Sequence, residues 1–294
     1  MKIDLPVDHV RTLLAVVDGG TLDAAAAALH VTPSAVSQRI KALEQRTGRV
    51  LLIRSKPVQL TESGQVVVRF ARQLARMEQD VAGELGMSGS GATSTLPIAV
   101  NADSLSTWFV PALAQVGDEA RICFELHRAD EGHTTALLRE GRVMAAVTST
   151  PDPVQGCSVR RLGHMRYLAC VAPSRRGERS LEQVLDEVPV LIFDNHDDLQ
   201  DAFARDVTRG RRAGGPRHFV PSSEGFVEAI VVGLGWGMVP RVQAAPLLRS
   251  GALVDIAPDR GVDVPLYWQQ WKLDSPALAA VAQAVRAGAA AELD

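Results

Sequence analysis

Three groups of residues in this chain of 294 have the types and spacing to do chemistry. The first lies in PSAVSQRIKALEQRTG, where Ser34, Ser37, Gln38 and Lys41 share one side of a helical period and Arg39 stands beside them. Gln pairs with the edge of adenine, Arg with guanine and Ser with either, so this face suits base edges in a DNA major groove. Thr32 and Pro33 stand at its entry. A capping hydroxyl and a residue without an N–H start a helix well, and the helix start favours a phosphate. The second group is acidic and small-polar: Asn101-Ala102-Asp103-Ser104, Asp130-Glu131, Thr148-Ser149, Asp194-Asn195-His196-Asp197-Asp198 and Ser222-Ser223-Glu224. These runs fall at strand ends or before helices, where open α/β sheets hold ligands, although each alone would serve as a plain cap or turn. The third group is Cys123, Cys157 and Cys170, odd in number and without any CxxC, so neither a disulfide framework nor a zinc site is indicated. Cys123 and Cys170 fall in apolar strand-like runs and are expected to be buried. The His residues show no ligand spacing, and the GxSxG, HExxH, Walker and Rossmann patterns are absent. No catalytic residue, metal ligand or cofactor is assigned, and an enzyme is not expected.

Charge divides the chain. Residues 30–76 hold nine Lys/Arg against Glu44 and Glu62, a local +7 in a chain of net −3, which leaves −10 on the other 247 residues. A basic segment on an acidic body points to a polyanion partner. With 46% hydrophobic and 22% charged residues the chain is neither disordered nor a polycation. No apolar run approaches the ~18 residues that span a bilayer, and Asp4, Asp8 and Arg11 interrupt any signal-peptide core. A cytoplasmic protein of two or three domains, with no membrane partner, is expected.

The elements that must position these groups follow from periodicity. Val10, Leu13, Leu14 and Val17 define a helix stopped at Gly19-Gly20, and Thr21 caps a short Ala-rich helix over LDAAAAALH. In the third helix Val36, Ile40 and Leu43 point inward. VLLIRSKPVQLTESG then reads as two short strands around Lys56-Pro57, a wing that carries Arg54 and Lys56 to the DNA backbone. Val67, Phe70, Leu74, Met77 and Val81 follow at steps of three and four, a heptad-like dimerisation seam. The helix exits into SGSGATST, a flexible linker that favours a helix standing off from the body. From Leu96 strands alternate with helices, which implies βαβ units and parallel sheets, and the late aromatic strand Tyr267–Trp271 implies a chain that crosses back between two lobes.

The run AAAALHVTPSAVSQRIKALEQRTGRVLLIRSKPVQLTESG resembles the winged helix-turn-helix of LysR-type transcriptional regulators, and GLGWGMVP resembles the glycine-rich segment of their effector domain. The resemblance implies an α/β multidomain chain: a winged helix-turn-helix at 1–63, a coiled-coil linker helix and flexible linker at 64–95, and a two-lobed, periplasmic-binding-protein-like effector domain at 96–294. Its lobes are expected at about 96–167 with 267–294, and at about 168–266. It also implies double-stranded promoter DNA and RNA polymerase as partners, and a homodimer or dimer of dimers. Pro33 and Gln38 replace residues often read as base contacts, so no operator sequence carries over. IAVNADSLSTWFVPALA, ADE at 129–131, FDNHDDLQDAF, SSEGFV and LYWQQW resemble the branch that regulates basic-amino-acid export in response to lysine or arginine. The expected effector site comprises Asp103, Ser104, Asp130, Glu131, Thr148, Asp194, Asn195, Ser222, Ser223 and Trp268, the acids holding cationic groups and the helix starts near Ser104 and Ser223 holding a carboxylate. A different effector, or a cysteine-based redox sensor of the same family, remains the alternative.

Overall fold

The computed structural model describes residues 5–85, 87, 94–118, 121–129 and 131–294. Its N-terminal part is α1 (Val7–Gly19), α2 (Leu22–Ala28), α3 (Pro33–Thr47), the antiparallel pair β1 (Leu52–Ile53) and β2 (Gln59–Leu60), and α4 (Glu62–Glu84). Local chemistry sets each boundary. Thr21, Thr32 and Thr61 accept the Ala24, Ala35 and Gly64 N–H at 3.1, 3.2 and 3.0 Å. Gly20 and Gly48, left-handed at φ 69° and 64°, end α1 and α3. Val10, Leu13 and Val16 of α1 pack with Ala25, Ala26, Val36, Ile40 and Leu43 into one core that continues into Leu51, Val67, Val68 and Ala71.

That core corrects the reading of α4. Val67 is only 7% exposed and belongs to the N-terminal core, whereas its neighbour Val66 is 50% exposed. The apolar face that α4 leaves in the open is Val66, Phe70, Met77 and Val81, with Leu74 half-buried beside them. Nor does α4 stand off from the body. Arg72 donates to Asp18 Oδ1 at 2.8 Å and to the Glu140 carbonyl at 3.0 Å, tying α1 to the body beyond it. Gly141 (φ +71°) lies so close that a Cβ there would sit 2.9 Å from Arg69 Cα. Most of the Gly/Ser/Thr linker, 88–93, lies outside the described residues.

The body runs β3 (Ser94–Val100), α5 (Ala102–Ser104), a π-turn (Leu105–Phe109), α6 (Val110–Leu113), β4 (Ile122–Arg128), α7 (Glu131–Arg139), β5 (Ala145–Thr148), β6 (Cys157–Val171), α8 (Pro173–Arg176), α9 (Leu181–Glu187) and β7 (Val190–Ile192). It continues with α10 (Leu199–Val207), β8 (Arg217–Phe219), α11 (Ser223–Val231), β9 (Trp236–Pro240), α12 (Arg241–Arg249), β10 (Val254–Asp255), β11 (Gly261–Trp271) and α13 (Pro276–Glu292). The strands order as β4-β3-β5-β11-β6-β9-β7-β8, with β10 on β6. β3, β4 and β5 are parallel on one side, β7, β8 and β9 on the other, and the long antiparallel pair β6/β11 joins the two halves. The register of that pair slips between Leu266 and Tyr267. Such a slip bends a strand locally and increases its twist. Trp108, Phe109, Trp236, Trp268 and Trp271 anchor the buried core. No helix among the described residues is long and apolar enough to cross a membrane.

Candidate functional site

The outer face of α3 presents Ser34, Gln38 and Lys41 to solvent, with Ser37 half-buried and Pro33 exposed at the helix start. Thr32 Oγ1, having capped the helix, lies 3.0 Å from Ser34 Oγ. Arg54 and Lys56 are exposed between the two wing strands. Arg39 departs from the expected face. Its guanidinium turns back to α1 and donates to Thr12 Oγ1 at 3.3 Å, which anchors α3 rather than extending its reach.

Between the two halves of the body lies a cleft of about 620 Å³. Asn101 and Asp103 approach from the end of β3, Tyr167 and Val264 from the long strand pair, Asp194 through Gln200 from the loop and start of α10, and Ser223 from the start of α11. Four carboxylates line it (Asp103, Asp194, Asp197 and Asp198), together with His133 and His196, and no Lys or Arg among the described residues does.

The hydrogen bonds show what each acid already does. Asp103 Oδ2 accepts the Tyr167 hydroxyl at 2.7 Å and Oδ1 accepts Ser223 Oγ at 2.7 Å, so this carboxylate spans the cleft. Asp194 Oδ1 accepts the His196 and Asp197 N–H at 2.7 and 3.2 Å, which folds the loop on itself. Asp197 accepts the Phe193 and Leu199 N–H at 2.8 and 3.0 Å. Burial nevertheless pushes its pKa above the ordinary carboxyl value, outweighing those bonds. Asp198 pairs with Arg205. Beside the cleft, Ser106 holds the Glu224 carboxyl below its usual range, with Arg128 adding to the effect, and Arg128 also donates to the Pro221 carbonyl at 3.2 Å.

Of the expected effector residues, Asp103, Asp194 and Ser223 line the cleft. The others require correction or fall outside. Trp268 is buried in the core, its Nε1 donating to Gln270 Oε1 at 2.6 Å. Thr148 is buried as well and bonded to Thr150 and Gln269. Ser104 is buried away from the cleft with no hydrogen-bond partner for Oγ among the described residues. Ser222 caps Gly225 at 3.2 Å, and Asn195 is exposed outside the lining. Asp130 lies outside the described residues, and of Glu131 only the backbone, opening α7, is described.

Sequence reasoning missed Tyr167, Gln200 and His133, and stopped short of assigning Asp197 and Asp198 within a run it had singled out. A tyrosine in a strand and a glutamine in a helix carry no local mark of a site. Cys123 also differs from expectation: it is exposed on β4. Cys157 and Cys170 are buried, and burial pushes their thiols up to about 11 and about 12. Such thiols are poor nucleophiles, which weakens the redox alternative at Cys157 and Cys170. Among the described residues no cluster of His, Cys, Asp and Glu could hold a metal ion.

Comparison with known proteins bears on both surfaces. Residues 7–65 match the family described as bacterial regulatory helix-turn-helix protein, lysR family, and residues 89–290 match the LysR substrate binding domain. The chain is 45% identical over 286 residues to the lysine export transcriptional regulatory protein LysG of Corynebacterium efficiens, covering 95% of this chain and 98% of that protein. It superposes on the crystal structure of ArgP from Mycobacterium tuberculosis with a TM-score of 0.89, at 43% identity and 97% coverage of each chain. Full-length LysG from Corynebacterium glutamicum with bound effector Arg gives a TM-score of 0.85 at 42% identity, covering 98% of this chain and 99% of that one.

Proposed function

This chain belongs to the LysR family of bacterial transcriptional regulators, and from that premise we propose that it controls a basic-amino-acid export gene in response to L-lysine or L-arginine bound in the interlobe cleft. The observation that carries the reading is the lining itself: four aspartates and no Lys or Arg among the described residues. Such a cleft has a negative potential that concentrates cations and disfavours anionic ligands. A basic amino acid brings two cationic groups and one carboxylate. The carboxylate is matched by the start of α11, where backbone N–H groups and the helix dipole favour an anion. Similarity to regulators named for lysine export, and to one solved with arginine bound, supports the same ligand class.

In this reading residues 1–63 bind promoter DNA, 64–95 dimerise the chain and 96–294 sense the effector. Gln38, Ser34, Ser37 and Lys41 address base edges, while Thr32, Arg54 and Lys56 address the phosphates and Pro33 opens the helix that presents them. A dimer formed along the open face of α4 sets two copies of α3 on a pseudo-palindromic promoter site. Ligand binding shifts the equilibrium between lobe arrangements, which moves the paired helices and alters the DNA bend that RNA polymerase meets. The cleft binds its ligand and does not transform it.

Isothermal titration of the full chain with L-lysine, L-arginine and L-leucine tests this. Saturable heat with at least one basic amino acid and none with leucine is expected. Equal heats for leucine, or no heat with any of the three, would overturn the ligand assignment.

A further inference from the structure

We propose that the head group of the bound amino acid takes over the hydrogen bond between Ser223 and Asp103. Its carboxylate accepts from Ser223 and its α-ammonium donates to Asp103, so this pair selects α-amino acids over other cations. The inference rests on the amino-acid reading of the cleft and deepens it by placing the two ends of the ligand.

Four side chains from four elements meet at that bond. Asp103, on α5 after β3, accepts Tyr167 Oη from β6 through Oδ2 and Ser223 Oγ from α11 through Oδ1, both at 2.7 Å. Gln243 Nε2, on α12, lies 3.3 Å from Ser223 Oγ. All four residues line the cleft. The direction of each bond follows from what the groups can do. An ionised carboxylate only accepts, so the single hydroxyl hydrogen of Ser223 goes to Asp103, and Gln243 donates to the Ser223 oxygen. Tyr167 thus holds Asp103 in place, whereas Ser223 reaches it on a helix that packs on β9 in the other half of the body.

Ser223 is 2% exposed, and a buried donor left without an acceptor is costly. Whatever parts this pair must therefore bring Ser223 an acceptor and Asp103 a donor. An α-amino acid carries both on one carbon and bridges the two residues, so the halves stay tied through the ligand. An amine without a carboxylate offers Ser223 nothing. A carboxylate without an amine sets a second negative charge against Asp103. The side-chain cation is then left to the loop before α10. There Asp194 is bonded through Oδ1 and Asp198 through Oδ2, which leaves Asp194 Oδ2 and Asp198 Oδ1 as charged acceptors without a hydrogen bond among the described residues.

The test titrates the full chain, as wild type, Asp103→Ala and Ser223→Ala, with L-arginine, L-lysine and analogues that lack one half of the head group. Agmatine and cadaverine lack the carboxylate; δ-guanidinovalerate and ε-aminocaproate lack the α-ammonium. Wild type should bind either kind of analogue about tenfold or more weakly than the parent amino acid. Asp103→Ala should weaken the parent about tenfold yet leave the analogue without the ammonium unchanged or tighter, because its carboxylate no longer meets a like charge. Ser223→Ala should weaken the parent and leave the analogue without the carboxylate within about twofold of its wild-type Kd. A merely structural role for Asp103, or a general loss of negative field, would weaken all three ligands alike in Asp103→Ala and overturn the inference. Should thermal unfolding show that Asp103→Ala does not fold, Ser223→Ala decides, and equal losses for parent and decarboxylated analogue overturn the inference. If the wild-type chain binds neither amino acid, the ligand assignment falls and this inference with it. A wild type that binds a parent amino acid and its analogues equally well sinks this inference only.

Discussion

Asp197 is a carboxyl that folding treats in two opposite ways. Two backbone N–H groups stabilise its charge, while burial penalises it, and the burial effect is the larger, so its pKa is raised. An acid whose folded pKa exceeds its unfolded value of about 3.9 holds its proton more tightly in the native state. Between the two values the native state carries the extra proton, so stability falls as pH rises through that window and stays lower above it. Relative to Asp197→Ala, the unliganded wild type should lose unfolding free energy from about pH 4 upward and then level off. A difference flat across the whole range would mean the carboxyl is solvated as in the unfolded chain. A bound cation favours the ionised form, so affinity for a basic amino acid should rise with pH over the same window.

At the scale of the element, α4 has two working faces that a single apolar period blurs together. Val67, Val68 and Ala71 complete the N-terminal core, and Val66, Phe70, Met77 and Val81 are left open. Separate experiments should therefore respond to separate faces. Val67→Ala removes buried methyl groups, expected to cost about 1–3 kcal/mol and lower the unfolding midpoint with no change of oligomeric mass. The pair Met77→Asp and Val81→Asp should instead lower the mass seen by sedimentation while the midpoint of the separated chain holds. Were Val67→Ala to dissociate the protein, the seam would run along the face now assigned to the core. The heptad-like steps in the sequence located the helix and put Phe70, Met77 and Val81 on its open face, but took Val67 for Val66, because the two are equally apolar and only the neighbouring helices distinguish them.

Over the whole molecule, three parts of the chain converge on one guanidinium. Arg72, on α4, binds Asp18 at the end of α1 and the Glu140 carbonyl at the end of α7, so the DNA-binding helices and the body share a single side chain. Gly141 beside it permits backbone contact with Arg69 that any side chain would obstruct. Coupling between distant sites needs a physically connected element whose arrangement both sites bias. Arg72→Ala should leave amino-acid affinity within about twofold and reduce the ligand-induced change in promoter affinity by roughly 0.5–2 kcal/mol. Titrating promoter DNA by fluorescence anisotropy, with and without the amino acid, measures that change. A response equal to that of wild type would show that the coupling travels another way.

The sequence by itself determined what is local. Threonine caps, left-handed glycines and the buried Val36, Ile40 and Leu43 specify three helices, the third with a polar and basic outer face, and all of that is encoded within a few residues of where it acts. It also determined that the body alternates strands and helices, and that Asp103, Asp194 and Ser223 stand at strand or helix ends. Tertiary structure alone decided which of those ends meet. Asp103 and Ser223 are 120 residues apart and join only because β6 and β11 carry the chain across and back. The same packing buried Trp268 and Thr148 and turned Arg39 toward Thr12. It also left Gln200 Oε1 without a donor. A residue's type fixes what it can donate or accept, but whether a partner is present depends on contacts between segments far apart in the chain, which no local pattern encodes.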